Sequence, residues 1–468
     1  MLIHVVSASE TLWQIANRYA APMSAIIQLN ALSDPDQLVI GQSLVIPSSF
    51  TTHTVKKGET LSSIAQQYNL SLQSIIQVNH LTNPDVLTPG TKLTIPPIIH
   101  IVEAGETLSQ IAKSYSTTVQ AIIEENDITN PNMIYVGSHL VIPRTKPTVE
   151  VNAYTYQTPD EAVQSLNAVG YLLTYFSPFA YLMNADGTLE PLNDKAMIDA
   201  ANSQNIIPML TITNFTSTET GSNLTHVILS NQQLSEKVID NILKVMEDKG
   251  YKVLNVDFEN VLPADRENYN QFLQLAVDRL HPKGYLVSTA LAPKTSPSPA
   301  GSTYEAYDYE AHGRIADFVI LMTYEWGYRL GPPQAISPIN EMRKVVEYAL
   351  TVMPANKIFL GFQIYARDWL VPHVKGQEAE TFSPQEAVAR AQQYGATIQY
   401  DRTAQSPFFR YVDKQGGNHE VWFEDARSAQ AKFDLTKEYN LRGISYWALG
   451  FPFPQNWALL DNNFSIKK

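Results

Sequence analysis

Cysteine is absent from the 468 residues, which excludes disulfide staples, thiolate metal sites and a cysteine nucleophile. No apolar run nears the ~20 residues needed to span a bilayer. The N-terminus, MLIHVVSASETL, lacks a basic segment followed by a long apolar stretch, so synthesis without a secretory signal is expected. Basic residues are in deficit, with 33 Lys and Arg against 46 Asp and Glu, for a net charge of −13. That balance disfavours nucleic acid and anionic membrane as partners. The ten His include no HExxH-type pair, and no glycine loop is suited to cradling phosphate. Neither a metal nor a cofactor is expected. What remains is globular composition, 44% hydrophobic and 17% charged, long enough for one large domain and several small ones.

The first 143 residues repeat themselves. Three segments open alike, at His4-Val5-Val6, His53-Thr54-Val55 and His100-Ile101-Val102, and run into Glu-Thr-Leu at Glu10, Glu59 and Glu106. Counted from that Glu, an Asn recurs after 20 residues (Asn30, Asn79, Asn126), a Gly after 31 (Gly41, Gly90, Gly137) and a Pro after 37 (Pro47, Pro96, Pro143). Within a copy, Leu61, Ile64, Ala65 and Tyr68 have helical spacing, and Lys92-Leu93-Thr94-Ile95 reads as a strand stopped by Pro96. The pattern is strand, helix, helix, strand.

These segments resemble LysM modules, which bind N-acetylglucosamine-containing polymers such as peptidoglycan and chitin. The expected modules are 2–47, 52–96 and 99–143. The resemblance implies a shallow sugar groove, in the second copy formed by Gly58, Thr60, Leu61, Asn83, Pro84 and Leu87. A plainer reading of the same residues is a helix cap at Thr60 and a turn at Asn83-Pro84. The first copy departs from the others, with Ser9 where they have Gly58 and Gly105. Weak sites on one chain gain avidity on a repeating polymer.

From 148 to 468 the pattern changes to short apolar or β-branched runs alternating with helical stretches, the order of a (β/α)8 TIM barrel. Candidate strands are 149–156, 171–176, 206–213, 252–259, 285–291, 317–324, 357–365 and 443–449. Leu234, Val238, Ile242 and Val245 mark one face of the helix before the fourth strand. The long interval between the last two strands reads as a small α+β insertion at about 370–425. The fold class is therefore α/β, preceded by three βααβ modules.

The fourth strand alternates Leu254, Val256 and Phe258 with Asn255, Asp257 and Glu259. Three polar side chains facing a barrel axis are costly to bury without partners but suit the C-terminal mouth, where such barrels hold their active sites. Asn255-x-Asp257-x-Glu259 resembles the end of the D-x-x-D-x-D-x-E signature of glycoside hydrolase family 18. Met322-Thr323-Tyr324-Glu325 is similar to that family's M-x-Y-D element, and Trp447 to the aromatic floor of its sugar pocket. Lys252 and Asn255 replace the first two Asp of the signature, and Glu325 replaces the usual Asp. The run DFENVLPADRENYNQFL, with the modules and the missing leader, further resembles the SleL-type spore cortex-fragment lytic N-acetylglucosaminidases.

The resemblance implies a substrate-assisted, retaining mechanism, in which the substrate's acetamido group replaces the usual carboxylate nucleophile. Glu259 would be the acid, Asp257 would orient the acetamido N–H, and Tyr324 would bond its carbonyl. Trp447 would stack beneath the sugar, with Asn255, Met322 and Glu325 on the substrate side. Asn255 is expected to donate to Asp257, and Asp257 to raise the pKa of Glu259 by repulsion. The substrate would be spore cortex peptidoglycan. Two alternatives stay open: a chitinase, and a non-catalytic glycan-binding wall or coat protein. A monomer associated with the spore or cell wall is expected.

Overall fold

A computed structural model describes residues 1–468 except 49, 69, 80, 85, 116, 144–145, 216–220 and 298–303. The chain divides into two compact units. One comprises Met1–His4, Ser9–Asp36 and Leu44–Pro147, the other Val5–Ala8, Gln37–Ser43 and Thr148–Lys468.

Each repeat folds as strand, helix, helix, strand. The second, for example, has Thr51–Thr54, Leu61–Gln67, Leu72–Asn79 and Lys92–Ile95, its two strands pairing antiparallel. Leu61, Ile64, Ala65, Ile75, Leu93 and Ile95 fill its core. The recurring residues have mechanical reasons. Asn79 donates to the carbonyls of Ile75 and Thr94, at 2.8 and 2.7 Å, and accepts from the Thr94 amide at 2.7 Å. It thus ties the second helix to the closing strand, as Asn30 and Asn126 do in the other copies. The recurring His and Glu meet as well: His53 Nε2 lies 2.8 Å from Glu59 and its Nδ1 3.0 Å from the Tyr68 hydroxyl. Gly58 and Gly105 turn with φ of 88° and 86°, and Ser9 adopts the same left-handed region at 65°. A side chain there opposes the turn that glycine makes freely.

In the second unit eight parallel strands close on themselves: β1 (Thr148–Thr155), β2 (Tyr175–Pro178), β3 (Ile207–Thr213), β4 (Val253–Asp257), β5 (Leu286–Leu291), β6 (Phe318–Leu321), β7 (Ile358–Gln363) and β8 (Gly443–Trp447). Each pairs with the next, and β8 returns to β1. The TIM barrel read from the sequence is present. Two details differ. The run 171–176 begins as a turn, with Gly170–Leu172 a 3-10 continuation of the helix Pro159–Val169, so β2 starts later, at Tyr175. The helix Gln232–Lys249 buries Val238 and Ile242 as expected, but Ile239, Leu243 and Met246 complete that face, while Leu234 and Val245 are only half-buried.

Between β7 and β8 the chain forms a five-stranded antiparallel sheet with the helix Pro384–Gln393. Its first strand, Ala366–Val371, follows β7 almost at once. Among the described residues no helix is long and apolar enough to cross a membrane.

The barrel interior is layered. Tyr175, Met209, Val253, Phe318 and Phe359 pack an apolar plug. Above it lies a polar layer in which every link is a hydrogen bond: Asn152 to Ser445 at 2.9 Å, Ser177 to Thr211 at 2.5 Å and Ser288 to Asn255 at 3.0 Å. Buried polar groups are tolerated when partnered in this way, although Asn152 Oδ1 has no partner. The layer forms the floor of the mouth.

Candidate active site

At the C-terminal mouth a cavity of about 490 Å³ is lined by Asp257, Glu259, Met322, Tyr324, Glu325 and Trp447, all named from the sequence, together with Tyr156, Phe179, Phe215, Arg329, Tyr365, Arg367 and Thr381. Strand alternation puts Leu254, Val256 and Phe258 fully inside the protein on the helical side, leaving Asp257 toward the axis. Glu259 lies just past the end of β4. Its backbone is held by one side chain: Asn214 Oδ1 accepts from the Glu259 amide at 2.8 Å and Asn214 Nδ2 donates to the Glu259 carbonyl at 2.7 Å. Asn214 also donates to Thr225 at 2.6 Å. A Cβ on Gly221 would meet the Asn214 carbonyl oxygen at 2.1 Å, so only glycine fits beside it. On the other side, the Tyr307 hydroxyl donates to the Phe258 carbonyl at 2.7 Å.

Burial decides the electrostatics. Glu259 has its pKa pushed up from 4.5 to about 7, first by desolvation and second by the charge of Glu325. Asp257, 5% exposed, is likewise raised, by burial and then by the charge of Glu259. Asp257 and Glu259 thus form one interacting pair in which each opposes ionisation of the other, and the charge of Glu325 adds to the effect on Glu259. Asp257 Oδ1 is buried and has no hydrogen-bond partner. Such an orphaned acceptor is expensive unless something arrives to fill it.

Asn255 departs from the expectation. It is fully buried below the mouth and does not line the cavity. Its amide donates to Tyr154 Oη at 3.0 Å and Thr211 Oγ1 at 3.3 Å, rather than to Asp257. Two residues further along the strand, at Asp257, the side chain reaches the cavity; at its own register Asn255 belongs to the polar floor.

Aromatic rings build one wall. Trp447 meets Phe179 edge-on with centroids 4.7 Å apart, and Tyr154 and Tyr156 lie at 5.5 and 5.9 Å. Such packing fixes the indole and leaves it half-buried at the cavity. Glu325, with a φ of 70°, is engaged on the far side. Arg367 clamps it bidentately at 2.8 and 2.8 Å, and the Tyr365 hydroxyl donates to it as well. Sequence reading missed Arg367, Tyr365 and Arg329. Tyr365 lies just past the end of β7 and Arg367 on the first strand of the insertion, where no periodicity marks which residues face the mouth.

In the modules, Thr60 caps its helix by accepting from the Ser63 amide at 3.1 Å, and Leu61 is buried in the core. Asn83 accepts from the Val86 amide through its carbonyl at 3.4 Å, and Leu87 packs partly buried against the same core. Gly58 has open space around the position of a Cβ. Pro84 is half-buried beside the exposed Asn83. Among the described residues no cluster of three or more His, Asp or Glu could hold a metal ion.

Comparison with known proteins agrees with this geometry. The family model "Glycosyl hydrolases family 18" matches residues 152–451, and "LysM domain" matches 4–47, 53–96 and 100–143. The chain is 47% identical over 475 aligned positions to the cortical fragment-lytic enzyme of Bacillus subtilis (strain 168), covering 100% of this chain and 99% of that one. It is 46% identical to the cortical fragment-lytic enzyme of Bacillus anthracis over 330 positions, 69% of this chain and 76% of the relative. The crystal structure of the Bacillus cereus spore cortex-lytic enzyme SleL superposes with a TM-score of 0.69 at 41% identity, covering 90% of this chain and 99% of that chain. The chain belongs to the family 18 glycosyl hydrolases and carries three LysM domains ahead of its glycosidase barrel.

Proposed function

We propose that this enzyme hydrolyses N-acetylglucosaminyl linkages in spore cortex peptidoglycan with retention of configuration, the LysM domains holding it to the glycan at the spore or cell wall. The names of the relatives support the substrate. The observation that carries the mechanism is the buried, unpartnered oxygen of Asp257 beside an acid that keeps its proton to about pH 7.

The reaction follows from those two groups. Glu259, protonated, gives its proton to the glycosidic oxygen, and the C1–O bond breaks. The carbonyl oxygen of the substrate's own 2-acetamido group closes on C1, forming an oxazolinium ion. Asp257 Oδ1 accepts the acetamido N–H, which fills its vacant acceptor. The positive charge growing on that nitrogen favours the carboxylate form that burial opposes in the empty site. Tyr324 donates to the acetamido oxygen, and Trp447 carries the face of the sugar. Glu259, now ionised, takes a proton from water, which attacks C1 from the face the leaving group vacated while the bond from C1 to the acetamido oxygen breaks. The product keeps its configuration, and the acid is restored.

The test uses matched glycans that differ only in the N-acetyl group at the cleaved residue. Cleavage is expected of the acetylated substrate and not of the free amine. Equal turnover of both would show that the acetamido group does not take part.

A further inference from the structure

Three carboxyl groups line the cavity, Asp257, Glu259 and Glu325, and among its described lining residues the cations are Arg329 and Arg367. Arg367 is committed. Its side chain is 6% exposed, and both terminal nitrogens are spent on Glu325, so this pair presents almost no net charge. Arg329 stands differently. Its side chain is 45% exposed and pairs with Glu378, itself 57% exposed. A pair so wetted is worth little and exchanges partners readily. Its backbone, in contrast, is fixed, since the Arg329 carbonyl accepts from the Ala379 amide at 2.8 Å and thereby ties the loop after β6 to the insertion.

A neutral N-acetylglucosamine polymer needs no such cation. A sugar bearing a carboxylate does, because an anion brought into this partly buried mouth is costly to desolvate unless a cation meets it. We propose that Arg329 is a specificity-determining residue, which exchanges Glu378 for the carboxylate on the saccharide next to the hydrolysed N-acetylglucosaminyl unit, the lactyl acid of a muramic residue or the peptide acid built on it. A guanidinium suits the role because its planar fork takes a carboxylate through two hydrogen bonds. The inference rests on the peptidoglycan reading above and names the substrate feature that this site would select.

The full-length protein is assayed on two soluble peptidoglycan fragments, one with its acids free and one with the same acids methyl-esterified. The quantity read is the ratio of kcat/KM between them. Wild type should prefer the free acid. Arg329→Gln should lower the ratio roughly 10- to 100-fold, the scale of a hydrogen bond to a charged group, with Arg329→Lys in between. Glu378→Gln, which releases the guanidinium, should raise the ratio. An unchanged ratio in Arg329→Gln, or an equal loss on both fragments, overturns the assignment while leaving the proposed function standing. Failure of wild type to cleave either fragment overturns the proposed function itself.

Discussion

Replacing Glu259 by Gln preserves the shape of the side chain and deletes one titration, so its effect can be worked out. An acid whose folded pKa lies above its unfolded value binds more protons in the folded state between those two values. Stability therefore falls as pH rises through that window. For Glu259 the window runs from 4.5 to about 7. The rise is about 2.5 (7 − 4.5), and at about 1.36 kcal/mol for each pKa unit this comes to about 3 kcal/mol. It is an upper value, because part of the side chain still meets water. The wild-type barrel loses this much between pH 4.5 and neutrality; Glu259→Gln loses none of it. Urea unfolding of the full chain, followed by tryptophan fluorescence, reads the barrel, since five of the six Trp lie beyond residue 148. The stability lead of the variant over wild type should grow by up to about 3 kcal/mol from pH 4.5 to about pH 8, while its turnover falls by roughly 100- to 10,000-fold. A stability difference that stays flat across that range would refute the account of how the acid keeps its proton.

Two further predictions concern the modules. Ser9→Gly should stabilise the first module by about 1 kcal/mol, because the left-handed φ of 65° costs serine roughly that much; slower amide hydrogen exchange in its first helix would register the gain. Asn79→Ala removes three hydrogen bonds and strands the groups they satisfied, so the second module should lose about 2–3 kcal/mol. Exchange in the third module serves as the internal control, and equal protection in both would contradict the role given to this Asn.

Much of this was legible in the residue order, for identifiable reasons. A recurring His, Glu, Asn and Gly is visible because each is fixed by a local contact that every copy must make, as with His53 to Glu59 or Asn79 to the closing strand. The barrel strands were visible because burial on both faces enforces apolar runs. Asp257 and Glu259 stood out because an acid on an otherwise buried strand demands a reason. Two kinds of feature stayed hidden. Depth along a strand is not encoded in alternation, so Asn255 could be assigned to the axis but not to the floor beneath the cavity rather than its wall. Contributions from separate segments also leave no local pattern. Nothing near Glu325 announces that Arg367, 42 residues away, will neutralise it, and nothing near Glu259 announces the grip of Asn214, 45 residues earlier.

That grip has a consequence for how the acid moves during turnover. Asn214 occupies both the amide and the carbonyl of residue 259, as a neighbouring strand would if β3 ran one residue longer. The peptide units flanking the glutamate are thereby denied rotation. In the proposed cycle, whatever travel the carboxyl group makes between releasing its proton to the departing sugar and reclaiming one from water must come from the torsions of its own side chain. The main chain would then have no part in that cycle at this point.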